Sequence, residues 1–138
     1  MQYVVEVPRD AEADVIVALR AFGVASSTLV PAEREPGMVR VSRVGGDLTA
    51  HQQRDRPLML VEVWEQTSPA AFDAALRAWA VFRVLENQGT LLPGVALHDL
   101  DLQVPRALDD DLAPDLFRVQ FTVEMTIPLT EITLTKES

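Results

Sequence analysis

Few residues in this chain are of types that could do chemistry. Three consecutive aspartates, Asp109, Asp110 and Asp111, share a loop with Asp115, and the only imidazoles are His51 and His98. Neighbouring carboxylates could hold a divalent cation, but a calcium loop needs acids at alternating positions, a central glycine and a distal glutamate. That framework is missing from this stretch. His51 stands beside Gln52 and Gln53 in a polar segment, and His98 falls on the apolar side of an alternating stretch. Neither has a nucleophile at a spacing that supports a Ser-His-Asp arrangement. Gly45-Gly46 lacks both the G-x-G-x-x-G and the P-loop patterns, so no phosphate site is expected. With no cysteine in the sequence, thiolate nucleophiles, disulfides and cysteine-ligated metals are excluded.

What remains is chemistry of contact. Arg40, Arg43, Arg54 and Arg56 cluster in sequence, and guanidinium groups can bridge two carboxylates of a neighbouring subunit, so these four are the expected subunit-interface residues. Asp109, Asp110, Asp111 and Asp115 repel one another, which predicts a solvated loop at a hairpin tip. No catalytic residue, cofactor or metal is expected. A small enzyme or ligand-binding domain is the distant alternative, and would need a pocket lined by His98 or Trp64.

The elements that must position these residues can be read from periodicity. Residues 116–128, LFRVQFTVEMTIP, place Phe117, Val119, Phe121, Val123, Met125 and Ile127 on alternate positions, as a long strand with one packed face requires. Before it, residues 95–104 read as a second strand with His98, Leu100, Leu102 and Val104 inward, so that the acidic loop becomes the tip between antiparallel neighbours. Residues 38–44 and 58–65 read as two more strands; the latter is largely apolar on both faces until Glu62 interrupts one, which suits the middle of a sheet. The spacing predicts one helix from an Asp10 cap to Gly23, with Val15, Ile16, Leu19 and Phe22 on one face. It predicts another from a Ser68-Pro69 start to about Asn87, closed by Gly89, with Phe72, Leu76, Trp79 and Phe82 packed inward. Residues 25–30 read as a short extended piece, 31–37 as a proline-rich turn, and 47–56 as a polar loop. Residues 2–8 could be a short strand, and 129–138 an edge strand or an arm that orders on a partner.

The length of 138 residues with 48% hydrophobic content fits a single domain, residues 1–138, of α+β class: a mixed, mostly antiparallel sheet flanked by two helices. No run approaches the ~18 apolar residues of a membrane span, so a soluble protein without membrane contact is expected. The net charge of −9 opposes nonspecific binding to nucleic acid, although an acidic wall would let DNA slide past without sticking. Residues 98–138 carry −6 of that charge, from nine acids and three bases.

The order of short motifs resembles a known family. Arg40-Val41-Ser42-Arg43-Val44-Gly45-Gly46, Asp55-Arg56-Pro57, Val63-Trp64 and Arg118-Val119-Gln120-Phe121-Thr122-Val123-Glu124 succeed one another as in the tail terminator, or tail completion, proteins of long noncontractile-tailed phages. The resemblance spans roughly residues 11–127; residues 1–8 and 128–138 depart from it. It implies a viral structural protein assembled in the host cytoplasm and located in the virion, at the head–tail interface. It further implies a homo-oligomeric, hexameric ring on the last ring of tail tube protein, which stops tube polymerisation and offers a surface to a head-completion or neck protein. Genomic DNA would pass through the ring without specific binding, with Asp109, Asp110, Asp111 and Asp115 facing either the channel or the next ring. Another neck or tail-tube component is the nearer alternative role.

Overall fold

In the computed structural model, which describes residues 1–29 and 34–137, strand β9 (Phe117–Pro128) is the spine of the molecule. Its alternation is realised in three dimensions: Val119, Phe121, Val123, Met125 and Ile127 are buried, while Phe117 at the strand's start is exposed. One edge of β9 takes β4 (Leu58–Glu65) and then β3 (Arg54–Asp55); the other takes β7 (Asp99–Leu102) and β8 (Arg106–Leu108). Strand β2 (Met38–Gly45) pairs with the outer edge of β4. These strands pair antiparallel throughout, with one parallel bridge from Ser27 to Arg40, so the α+β reading holds. The doubly apolar β4 is indeed a central strand.

Both helices lie on one face of the sheet. Helix α1 (Ala11–Ala21) is capped by Asp10, whose carboxylate accepts from the Ala13 N–H, and turns Val15 and Leu19 into the core. Phe22, expected on that stripe, is largely exposed just beyond the helix end. Helix α2 (Ser68–Gln88) starts one residue earlier than its proline suggested: Thr67 is the cap, its hydroxyl accepting from Ala70 N, and Pro69 sits within the first turn. Gly89 closes it with φ 72°, a left-handed conformation glycine adopts at little cost.

The inward face of α2 differs from the expected one. Ala71, Ala75, Ala78, Phe82 and Leu85 meet the sheet, whereas Phe72 and Leu76 face outward. The valines and methionines of β4 and β9 already fill the interlayer space, so only alanine fits opposite them, and the helix backbone comes close. Phe82 is the exception, meeting Phe121 edge to face at 5.9 Å.

The expected strand over 95–104 is two strands. Strands β5 (Thr90–Leu92) and β6 (Val95–Ala96) form a hairpin, after which Leu97 turns into the core and the chain crosses to the edge of β9 as β7. This crossing shifts the alternation, leaving His98 and Val104 exposed instead of inward. The polar loop over 47–56 contains a 3₁₀ turn (Ala50–Gln52) and ends in β3. Of the readings over 25–30 and 31–37, residues 30–33 lie outside the described residues.

The first strand, β1 (Gln2–Val7), pairs antiparallel with the last, β10 (Thr130–Thr135), in a separate two-stranded ribbon. No helix among the described residues is long and apolar enough to cross a membrane.

Candidate functional site

With both helices on one face, the other face of the sheet is lined by the alternate residues of β2, β4 and β9. Register aligns Met38, Trp64 and Arg118 in one row, Arg40, Glu62 and Gln120 in the next, and Leu58 with Glu124 further along. Glu62 lies at the centre and is only 5% exposed. A carboxylate so buried needs cations, and two arginines supply them: Arg40 Nη1 at 3.6 Å and Arg118 Nη1 at 3.4 Å. Glu62 is the one polar residue between Leu58 and Trp64, and that was its signal in the sequence.

The acidic loop is fastened over this row. Trp64 is 1% exposed, and its indole Nε1–H donates to Asp110 Oδ2 at 2.9 Å. Asp110 also accepts from Leu112 N, and Arg34 Nε lies 3.2 Å away. Arg118 Nη2 donates to the Asp109 carbonyl at 2.7 Å. Burial pushes the Asp110 carboxyl up, but the hydrogen bonds from Leu112 and Trp64 and the charges of Arg34 and Arg118 outweigh it, holding the group below the usual carboxylate range. The expectation that all four aspartates stay solvated is therefore corrected at Asp110, which is buried because an indole N–H in the sheet needs an acceptor. Asp109, Asp111 and Asp115 are exposed.

A second polar cluster sits at the far end of β9. Arg56 donates from Nε to Glu124 at 2.6 Å and from Nη1 to Asp99 and to the Thr126 hydroxyl, both at 3.0 Å. Thr126 Oγ1 donates in turn to Asp99. The hydrogen bond to Glu124 raises the Arg56 pKa above its ordinary value.

Beside this cluster, Arg43 clasps Asp55 through both nitrogens, at 2.6 and 2.9 Å, and donates to the carbonyls of Gly45 and Gly46. Its pKa is raised, chiefly by the Asp55 hydrogen bond and against the effect of burial. Asp55 is completely buried. The close approach of these segments explains Gly46: its φ is +90°, and an added Cβ would stand 2.1 Å from the Arg56 carbonyl oxygen.

The four expected interface arginines thus divide. Arg40, Arg43 and Arg56 are each engaged in ion pairs within the chain. Arg54 is exposed and its side chain carries no ion pair among the described residues. Trp64 and His98 do not share a pocket: the indole is sealed under Asp110, and His98 lies on the surface with its backbone N–H on Thr126 O.

Compared with protein-family models and with curated proteins, the chain matches neither.

Proposed function

We propose that this protein is a structural ring-forming component of a phage tail, acting as the tail terminator: it caps the tail tube, stops tube polymerisation and joins the tail to head-neck proteins. One observation carries the reading. The four short motifs behind the resemblance are scattered over residues 40–124, yet they interlock in three dimensions. Arg43 of the first clasps Asp55 of the second, and Gly46 lies against the Arg56 backbone. Arg56 grips Glu124 of the fourth, and Trp64 of the third stands opposite Arg118. Motifs that were independent accidents of sequence would have no reason to meet in one structural unit. Their meeting is what a shared architecture requires, and it supports assigning the chain to that architecture by resemblance.

In this reading Asp109, Asp111 and Asp115 supply the exposed negative charge, which repels a DNA backbone passing at close range. The repulsion acts over about 8 Å at physiological ionic strength. Arg54 is the remaining arginine suited to a contact between subunits. The test is loss of the protein from a phage that encodes it. Tails of uncontrolled length, or tails unable to join DNA-filled heads, are expected by electron microscopy; normal tails on infectious particles would sink the proposal.

A further inference from the structure

The two edges of the main sheet are built differently. Beyond β9 the sheet ends in short pieces, β7 of four residues and β8 of three, which carry Asp99, Asp101 and Arg106. Brevity and charge discourage a foreign strand from joining such an edge. Strand β2, at the opposite edge, is eight residues long and contains no proline. Among the described residues no second strand lies along its outer side, and the only pairing there is a single parallel bridge to Ser27. A long strand with unpaired backbone groups is a template for pairing with another chain.

The outward backbone groups at the middle of β2 are nevertheless occupied. Ser27 N–H donates to the Val39 carbonyl at 3.1 Å, and Val41 N–H donates to the Ser27 carbonyl at 2.9 Å. Two residues further on, Arg43 N–H donates at 2.8 Å to a side chain instead of a strand: Glu12 Oε2, in the first turn of α1. The same helix fixes the bridge. Arg20 Nη2, in the last turn of α1, donates to the Ser26 carbonyl at 2.8 Å, and the Ser27 hydroxyl accepts from Leu29 N at 2.9 Å. Glu12 and Arg20 are eight residues apart, about 12 Å along a helix, and Arg43 and Val39 are four apart, about 13 Å along a strand. Helix α1 therefore runs beside the edge of β2 in the opposite direction, with one end at Arg43 and the other at the bridge.

We infer that Glu12, together with the Ser27 bridge, is a built-in block on the outer edge of β2 that stops a second copy from extending the sheet. An incoming strand offers Arg43 N–H a neutral carbonyl, whereas Glu12 offers a carboxylate, whose hydrogen bond is roughly twice as strong. The first turn of a helix also favours a negative charge, so Glu12 is stabilised where it stands. The side chains of β2 do not supply the block. Antiparallel pairing of two copies about Val41 sets Arg40 opposite Ser42 and Val39 opposite Arg43, so no like charges face each other across the pair. The inference is independent of the tail reading, and it removes the β2 edge from the surfaces by which copies join.

The test uses three full-length variants. Glu12→Gln keeps a carbonyl acceptor on the same stem, Glu12→Ala removes it, and Glu12→Asp keeps the charge in the first turn of α1 but withdraws it by one methylene. Amide exchange followed by NMR in dilute solution is expected to show Arg43 N–H exchanging at least about tenfold faster in Glu12→Ala. Glu12→Asp is expected to behave likewise with its helix intact, which carries the test if the alanine variant does not fold. Light scattering is expected to show a concentration-dependent species of about twice the native mass in both variants, with Arg43 N–H regaining protection as that species forms. Glu12→Gln is expected to keep the native mass. Native exchange at Arg43 in Glu12→Ala and Glu12→Asp would overturn the inference, because Glu12 would not be holding the edge. Faster exchange with the native mass at every concentration would overturn it too, since an opened edge would then recruit no strand. Association with Arg43 N–H still unprotected would place the new contact away from β2 and equally refute the block.

Discussion

Replacing Arg43 by alanine gives a sharp measure of what holds the polar end of the sheet. Asp55 is completely buried, and its two oxygens accept from the two terminal nitrogens of Arg43 at 2.6 and 2.9 Å. The same guanidinium bonds the carbonyls of Gly45 and Gly46, so it holds the end of β2 against Asp55 of β3 as well as neutralising the acid. Removing one partner of a buried pair leaves an uncompensated charge, at a cost of about 3–5 kcal/mol. The whole fold of 138 residues is worth roughly 7–20 kcal/mol at typical per-residue stability. For a domain of this size each kcal/mol corresponds to roughly 3–5 °C, so the melting temperature of Arg43→Ala is expected to fall by about 10–20 °C. Thermal unfolding followed by circular dichroism measures this. Asp55→Ala in the same chain is expected to recover part of the loss, because it removes the stranded carboxylate, and a double-mutant cycle then reports the coupling. A melting temperature for Arg43→Ala within about 2 °C of the native protein would refute the reasoning. Because Arg43→Ala acts through stability, an alanine at exposed Arg54 is the better probe of the proposed contact between subunits.

Two other outcomes follow from geometry. The Asp110 carboxyl is held below its ordinary value near ~3.9 in the folded chain, so its contribution to stability is present above that pH and is lost as pH falls through the folded value. In a Trp79→Phe background, Trp64 emission is expected to change on acidification below about pH 4 as the loop detaches, and a pH-independent emission down to full unfolding would refute the link. Gly46→Ala meets a backbone oxygen at 2.1 Å with φ at +90° and should destabilise by about 3 kcal/mol or more, whereas Gly94→Ala, with φ +80° and open space, should cost only about 1–2 kcal/mol. Equal losses in urea unfolding would show that crowding at Gly46 is relieved by a backbone shift.

Much of the fold was legible because its strongest signals are local. The period of two through residues 117–127 needs no partner to be seen, and Asp10 and Gly89 announce helix ends by their own chemistry. The inward face of α2 was not legible, because the helix carries an alanine stripe and a Phe/Leu stripe side by side. Only the volume already filled by the sheet decides between them. The same holds for Asp110. A run of aspartates reads as solvated from composition, but the indole that buries one of them lies 46 positions away. The pairing of β1 with β10 joins the two most distant strands, beyond the reach of any pattern in a local window.

The position of β9 in the chain has a consequence for how the molecule is made. Strands β3, β4, β7 and β8 all bond to β9, and β9 follows every one of them in chain order. During synthesis the β2–β4 pair and the helices can form early, but the core cannot close until residue 128 has left the ribosome. Nonlocal strand pairing of this kind folds in milliseconds to seconds, not microseconds. Until then the edge of β4 that β9 will occupy and part of the α2 face stay uncovered, and a nascent chain is exposed to mispairing or to capture by chaperones. The ribbon comes later still, since β10 follows β9, so β1 waits for its partner until the rest of the sheet has been made.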